Sequence, residues 1–119
     1  MAEHNDTGKK GEEMAALFLR EKGVTILETN WRFGNLEADI IGKFDQTLIL
    51  AEVKTRKSNY FGEPESFVTK QKQKNLIRAA NEYIQRNNLD LEVRFDIISI
   101  VLNDYSAIRH IEDAFYPLL

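Results

Sequence analysis

The chain has 119 residues, of which 43% are hydrophobic and 29% charged, a composition typical of one globular domain. It contains no cysteine, which excludes disulfides, thiolate metal sites and cysteine nucleophiles. The N-terminus is polar and the apolar runs are too short to span a bilayer. We therefore expect a single cytoplasmic domain over residues 1–119 that makes no membrane contact.

The net charge of −3 conceals an uneven distribution. The segment from Lys54 to Arg78 holds seven basic and two acidic residues, a balance of +5, which leaves −8 for the rest of the chain. A basic segment on an acidic body predicts a localised anion site. A solvated loop and helix face explains the charge distribution equally well.

The first predicted element is a helix. Residues 1–7 are expected to be disordered, and the segment TGKKGEEMAALFLREKG then has helical periodicity. Met14, Leu17 and Phe18 share one face, and Gly23 suits a C-terminal stop. VTILETN follows as a β-prone stretch, and WRFGN places a glycine where a turn is expected.

An antiparallel hairpin is predicted next. LEADIIGKF alternates, which puts Ala38 and Ile40 on one face and Asp39 on the other. DQT makes a short turn, and LILAEVKT returns with Glu52 and Lys54 on a common face.

The second half predicts a helix from about Thr69 to Asn87 and then the β-branched strand EVRFDIISIVL. AIRHIEDAF adds a last short strand, where His110 is expected to be partly exposed. Asp96 and Arg94 share a strand face, which favours a structural ion pair. The order of helix, strands, helix and strands predicts an α/β domain with a mixed sheet flanked by helices.

Three carboxylates and one amine are predicted to meet on the hairpin: Glu37, Asp39, Glu52 and Lys54. Close carboxylates repel one another unless a cation lies between them. Hard oxygen ligands of this kind suit Mg²⁺ or Mn²⁺. For Glu52 and Lys54 alone, a cross-strand ion pair at a sheet edge would be the simpler interpretation, and Asp39 on the preceding strand is what favours the metal site.

Five segments together resemble a known family: GKKGEEMAALFL, TNWRFGNLEADIIG, LILAEVKTRKS, FGEPESFVTKQKQKNL and RFDIISI. They are similar to the YraN-type family of predicted endonucleases, within the restriction-endonuclease-like superfamily and related to Holliday-junction resolvases. Asp39 followed by Glu52-Val53-Lys54 resembles its split Asp…Glu-x-Lys signature. The chain has Leu-Glu-Ala-Asp where the family usually has Gly-Glu-Ile-Asp, so both acids are retained.

This resemblance implies a restriction-endonuclease-like αβββαβ fold that hydrolyses DNA, with branched or repair intermediates among the candidate substrates. It implies a divalent cation held by Asp39, Glu52 and the Val53 carbonyl, with Glu12 as a further acid. Lys54 would orient or deprotonate the attacking water, and Glu37 would be an outer-shell acid. Junction-cleaving relatives act as dimers, so a homodimer is also implied, although no residue pattern specifies an interface.

A nucleic-acid surface is predicted around the start of the second helix. Lysines in a first turn oppose the helix dipole unless a phosphate docks there. Thr69 is the predicted N-cap, and Gln71 could contact substrate or metal-bound water in the outer shell. The predicted nucleic-acid contacts are Arg56, Lys57, Tyr60, Lys70, Lys72 and Lys74.

Two rival functions remain open. One is a nucleic-acid-binding module that keeps the fold and the acids without cleaving. The other is a protein-interaction domain whose acidic cluster is solvated. Metal binding separates the second rival from the others, and loss of cleavage with binding retained in Lys54→Ala separates the nuclease from the binding module.

Overall fold

The structure is a computed structural model that describes residues 2–57, 68–102 and 107–116. It contains two helices and five strands. In chain order these are α1 (Ala2–Glu21), β1 (Thr25–Phe33), β2 (Leu36–Phe44), β3 (Thr47–Arg56), α2 (Lys70–Asn87), β4 (Glu92–Val101) and β5 (Ala107–Phe115). Neither helix is long and apolar enough to cross a membrane in the ranges that the structure describes.

The five strands form one mixed sheet in the order β1-β2-β3-β4-β5. β1, β2 and β3 are antiparallel neighbours, β3 and β4 are parallel, and β5 returns antiparallel along β4. The parallel pair requires a crossover, which contains α2. This architecture confirms the predicted α/β class, the β2–β3 hairpin and the last strand, and it is consistent with a restriction-endonuclease-like arrangement.

The helices cover opposite faces of the sheet. On the α1 face, Ala15, Ala16 and Leu19 pack against sheet residues that include Ile49 and Ile98. On the α2 face, the predicted apolar stripe of that helix packs against a second set of sheet residues, and its buried members are Leu76, Ala79, Ala80 and Tyr83. A sheet buried on both faces explains the near-continuous apolar runs in β3 and β4.

α1 docks through Ala15, Ala16 and Leu19, with Met14 partly buried beside them, so the predicted face of Met14, Leu17 and Phe18 is corrected at Leu17. Leu17 is 56% exposed, whereas Ala15 and Ala16 are buried. A Cβ at Gly11 would lie within 1.8 Å of the Thr55 hydroxyl oxygen, so this helix approaches β3 too closely for a larger side chain. The helix also begins at Ala2, well ahead of its predicted start.

Both helices end in Schellman motifs, in which a residue with a positive φ angle follows the last turn. Gly23 takes this position after α1 with a φ angle of 94°, as predicted, and Asn88 takes it after α2 with a φ angle of 52°. α2 begins as predicted, because the Thr69 hydroxyl accepts a hydrogen bond of 3.1 Å from the Lys72 amide.

β2 and β3 separate partway along their length. Their paired residues run from Phe44 and Thr47 to Ile40 and Ala51. Beyond that point β2 continues along β1 and β3 continues along β4. We call this separation the fork; the residues immediately beyond its last pair are Asp39 on β2 and Glu52 on β3.

The fork also breaks the predicted alternation of β2. Ala38 and Ile41 pack on the α2 face, whereas Ile40 packs on the α1 face. The expectation that Ala38 and Ile40 share a face is therefore wrong, because a strict period of two cannot hold across Asp39.

Asp96 is completely buried on β4 and receives several hydrogen bonds. Arg94 donates two of 2.9 Å, as the sequence predicted, and the His110 Nε2 atom lies 2.7 Å from a carboxylate oxygen. Burial alone would raise the pKa of Asp96, but the bonds from His110, Arg94 and the Asp113 amide outweigh it and lower that pKa. His110 as a residue is partly exposed, as predicted, but its side chain is only 3% exposed because it packs against Phe18 and pairs with Asp96.

Candidate functional site

The fork brings the carboxylates of Asp39 and Glu52 together. The Val53 amide donates a hydrogen bond of 2.8 Å to the Oδ2 atom of Asp39. Burial and, after it, the neighbouring charge of Glu52 raise the pKa of Asp39 to about 6, against the opposing effects of the Val53 hydrogen bond and the Lys72 charge. The site is therefore a pair of mutually repelling carboxylates, as expected where a cation is to be bound.

Two lysines contact Glu52, whose side chain is only 5% exposed. Lys54 is next on the same face of β3, and its Nζ atom lies 3.9 Å from the Oε1 atom of Glu52. Lys72 reaches across from α2 and places its Nζ atom 2.5 Å from the same oxygen. The structure therefore brings Lys72 into the centre of the site, where the sequence had predicted only a phosphate contact.

The pKa values of the two lysines are shifted in opposite directions. Burial lowers the pKa of Lys54, and the neighbouring ammonium of Lys72 lowers it further. Burial alone would also lower the pKa of Lys72, but its hydrogen bond to Glu52 and the charge of that carboxylate raise it overall. Lys54 is thus the lysine better suited to give up a proton, and Lys72 the one better suited to remain a cation.

Glu12 approaches the site from α1. Burial raises the pKa of Glu12, and the charges of Asp39 and Glu37 add to the effect, while a hydrogen bond with Asn30 opposes it. Asn30 has a φ angle of 52°, a conformation that asparagine tolerates better than most residues. The sequence reasoning missed Asn30, and its one available signal was an asparagine inside a β-prone stretch.

Glu37 is placed differently from the other acids. Its side chain is 59% exposed and lies 3.5 Å from an Arg32 guanidinium nitrogen. Its charge contributes to the raised pKa values of Asp39 and Glu12, but three carboxylates do not converge as the alternation predicted. Glu37 instead faces a cleft beside α2.

This cleft has a volume of about 250 Å³ and adjoins the paired lysine Lys72. Its lining is mainly polar and consists of Asn35, Glu37, Thr69, Gln71, Lys72, Asn75 and Leu76. Gln71 is exposed and donates a hydrogen bond of 3.1 Å to Asn75, so its amide faces the cleft rather than the carboxylate pair. Asn35 and Asn75 were not predicted as site residues.

The remaining predicted contacts surround the centre. Lys70 and Lys74 are exposed on α2, and Lys57 is exposed where β3 ends. Arg56 is half-buried at the end of β3. Tyr60 lies outside the described residues. Exposed lysines on α2 and at the end of β3 agree with the basic segment seen in the sequence.

The donor atoms fit a hard divalent cation such as Mg²⁺ or Mn²⁺. Mg²⁺ is commonly held in proteins by one or two carboxylates together with substrate phosphates. Asp39 and Glu52 supply that pair, and their mutual repulsion would be relieved by a cation. Among the residues that the structure describes, no group of three histidine, cysteine or acidic side chains is arranged to hold a metal. The site is therefore a two-carboxylate site.

Comparison with known proteins identifies the family. The model of the uncharacterised protein family UPF0102 matches residues 11–100, which include both carboxylates and both lysines. The chain belongs to family UPF0102. Its resemblance to the YraN-type family is thereby confirmed.

UPF0102 relatives match over almost the whole chain. A UPF0102 protein of Flavobacterium psychrophilum is 51% identical over 117 residues, covering 98% of each chain. One from Christiangramia forsetii is also 51% identical with 98% coverage of each. A more distant relative from Bacteroides thetaiotaomicron is 44% identical and covers 100% of this chain and 99% of its own.

Proposed function

We propose that this UPF0102 protein is a divalent-metal-dependent endonuclease that hydrolyses phosphodiester bonds in DNA. The observation that carries the proposal is the apposition of Asp39 and Glu52 at the fork, with Lys54 beside them on β3. Repelling carboxylates with an adjacent amine supply the groups that phosphodiester hydrolysis needs: ligands for a cation and a positively charged or basic group.

Asp39 and Glu52 would hold Mg²⁺ or Mn²⁺. The family resemblance implies the Val53 carbonyl as a further ligand and Glu12 as a further acid, although in the described residues Glu12 does not form a three-carboxylate group with Asp39 and Glu52. When bound, the cation supplies Lewis acidity that activates water and offsets charge on the phosphoryl oxygens. Hydrogen bonding from the Val53 amide fixes the orientation of the Asp39 carboxylate. The mutual repulsion of the two acids favours a cation beside them, a place for which the two lysines paired with Glu52 would compete with the metal.

Lys54 would act on the attacking water. Its lowered pKa leaves more of the Nζ amine unprotonated than in an exposed lysine, and the unprotonated amine is the form that can take a proton from water. In its charged form the same ammonium stabilises negative charge on the phosphate. Either role requires the position of Lys54 next to Glu52, which the strand alternation of β3 provides.

The substrate would approach along the exposed lysines. Lys57 is exposed at the end of β3, and Lys70 and Lys74 are exposed on α2. With Arg56, Tyr60 and Lys72 they form the proposed nucleic-acid contacts, and Gln71 and Glu37 line the adjoining cleft as outer-shell groups. Branched DNA is the first class to screen, and a homodimer would present two such centres to two strands.

A non-catalytic nucleic-acid-binding module is the alternative. The observation that favours it is the pairing of Glu52 with two lysines, which neutralises the carboxylate without a metal. In that case the acids would position the lysines and the protein would bind DNA without cleaving it.

The test is Mn²⁺ titration, followed by electron paramagnetic resonance, of the wild type and of the Asp39→Asn/Glu52→Gln double variant. We expect binding in the wild type and its loss in the double variant. Glu112→Gln is the control, because this exposed acid lies on β5. Absence of Mn²⁺ binding in the wild type, even with DNA present, would contradict the nuclease proposal.

Cleavage is tested second, on labelled flaps, junctions and single strands with Mg²⁺ or Mn²⁺. We expect Lys54→Ala to retain DNA binding and to lose at least about a hundredfold in cleavage rate, the usual contribution of a general base or acid. Metal binding without cleavage of any of these substrates would favour the binding module instead.

A further inference from the structure

The metal position at Glu52 is shared with an amine that comes from another element. Lys72 extends from α2 to within 2.5 Å of the Oε1 atom of Glu52, and Lys54 lies 3.9 Å from that same oxygen. One buried carboxylate oxygen is therefore approached by two ammonium groups. A divalent cation bound by Glu52 would have to replace at least one of the two ammonium groups beside this oxygen.

The charges of the centre are already balanced. Asp39 and Glu52 contribute two negative charges when ionised, and Lys54 and Lys72 contribute two positive ones. A divalent cation added to this arrangement would be repelled by both ammonium groups at close range. Its binding therefore favours a state in which one lysine has moved away from Glu52.

Lys72 is the lysine that can move. Lys54 is attached to the same strand as Glu52, in the paired region of β3 and β4, so its backbone stays beside the carboxylate. Lys72 reaches the site with its long side chain from the first turn of α2, and that side chain is 36% exposed. It can rotate into solvent without any change in the sheet.

Once displaced from Glu52, the Lys72 ammonium would be able to contact substrate in the neighbouring cleft. The cleft of about 250 Å³ beside Lys72 adjoins the first turn of α2, which contains no acidic residue. The one acid that lines the cleft, Glu37, comes from β2 and pairs with Arg32. Near a helix N-terminus an additional cation is unfavourable by itself and becomes favourable when an anion is present. A DNA phosphate in this cleft would stabilise the displaced position of Lys72.

We propose that Lys72 is a resident counter-cation that occupies the metal position of Glu52 and transfers to a DNA phosphate, so that divalent metal and DNA bind cooperatively. The proposal rests on the proposed nuclease function and deepens it. Metal alone must compete with Lys72, and DNA removes that competition by offering the ammonium another partner. By linkage, metal increases the affinity for DNA by the same factor.

The experiment is Mn²⁺ titration with electron paramagnetic resonance on the wild type and on Lys72→Met, each with and without a short single-stranded DNA oligonucleotide. Without DNA, we expect Lys72→Met to bind Mn²⁺ about tenfold more tightly, the effect of removing one competing ammonium. DNA should increase Mn²⁺ affinity in the wild type and much less in the variant.

Two further variants serve as controls. Lys72→Arg keeps the positive charge and is expected to bind Mn²⁺ as the wild type does. Lys43→Met removes a lysine on β2 outside the basic segment and should also leave Mn²⁺ binding unchanged, with and without DNA. Circular dichroism melts of all variants establish that each one is folded.

The outcomes separate the two proposals. Wild-type Mn²⁺ binding that Lys72→Met leaves unchanged or weakens would overturn the role of Lys72 and leave the nuclease proposal standing. Absence of Mn²⁺ binding in every variant, with and without DNA, would overturn both.

Discussion

The surroundings of Asp39 disfavour the ionised form of its carboxylate. Burial and the charge of Glu52 raise its pKa to about 6, from an ordinary value of 3.8. The folded protein therefore binds this proton more tightly than the unfolded chain does. Ionised Asp39 reduces stability, and the cost appears as pH rises from the unfolded pKa through the folded one.

Asp39→Asn should therefore stabilise the metal-free protein at neutral pH. We expect a gain of about 1–3 kcal/mol in the free energy of unfolding at about pH 7.5, because the repulsion with Glu52 is lost. At about pH 4, where wild-type Asp39 is itself mostly protonated in the fold, the gain should shrink toward zero. Urea denaturation in the presence of a chelator measures both values.

Asp90→Asn is the matched control, because Asp90 is an exposed aspartate before β4. It should change stability by less than about 0.5 kcal/mol at either pH. If Asp39→Asn is instead less stable than the wild type at neutral pH, the hydrogen bond from Val53 to the carboxylate stabilises the fold more than the repulsion with Glu52 destabilises it.

The identities of the main site residues were accessible from the sequence, but their partners were not. Asp39, Glu52 and Lys54 stand out because charged residues interrupt apolar strands. The contact of Lys72 with Glu52 depends on where α2 lies over the sheet. Similarly, the pairing of Asn30 with Glu12 depends on a backbone conformation that no periodicity reveals.

At the level of elements, α1 can lie close to β3 because Gly11 has no side chain. Gly11 lies against Thr55, one residue beyond Lys54, and any Cβ there would overlap the threonine hydroxyl. The next position on the helix is Glu12. The close approach of α1 to β3 is thus also what brings this acid toward the carboxylate pair.

Gly11→Ala should separate α1 from β3. We expect a loss of about 1–3 kcal/mol in the free energy of unfolding, the usual cost of overpacking a tight contact. Gly8→Ala is the matched control, because a Cβ at Gly8 meets nothing within 4 Å. That variant should be more stable by about 0.5–1 kcal/mol, since alanine is the better helix former.

Chemical denaturation of both variants measures the difference. Equal stabilisation of the two variants would show that α1 can shift without loss and that Gly11 does not determine its position.

The sequence predicted where the helices and strands lie better than it predicted which of their faces are buried. Strong local signals, such as the Thr69 cap, Gly23 and the turn between β2 and β3, were enough to place helix ends and a hairpin. The buried face of α1 was mispredicted in part because two of its contact residues, Ala15 and Ala16, are small and carry little hydrophobic signal. The fork was not predictable because strand pairing depends on neighbours that are distant in sequence.

At the level of the whole molecule, charge is divided between a basic segment and an acidic remainder. The segment from Lys54 to Arg78 carries a balance of +5 in a protein of net charge −3. The acidic remainder would disfavour non-specific binding along the entire surface, and the basic segment would direct the proposed DNA substrate to the carboxylate centre.

DNA affinity should therefore depend on salt through a small number of lysines. We expect Lys57→Gln and Lys74→Gln each to reduce the log–log salt slope by about 1, because each removes one exposed phosphate contact. Fluorescence anisotropy at several salt concentrations measures the slope. Lys43→Gln, on β2 outside the basic segment, should leave it unchanged.

If the salt slope falls equally for the substitutions at Lys57, Lys74 and Lys43, DNA has no preference for the basic segment.

The hydrogen bond between the Val53 amide and Asp39 gives the protein an internal spectroscopic reporter. Most strand amides in a sheet face a backbone carbonyl, whose charge does not change with solution conditions. The Val53 proton instead faces a carboxylate that titrates and is proposed to bind metal. Its signal in a nitrogen–proton correlation spectrum can therefore follow the state of the centre directly, in the intact protein and without any substrate having been identified.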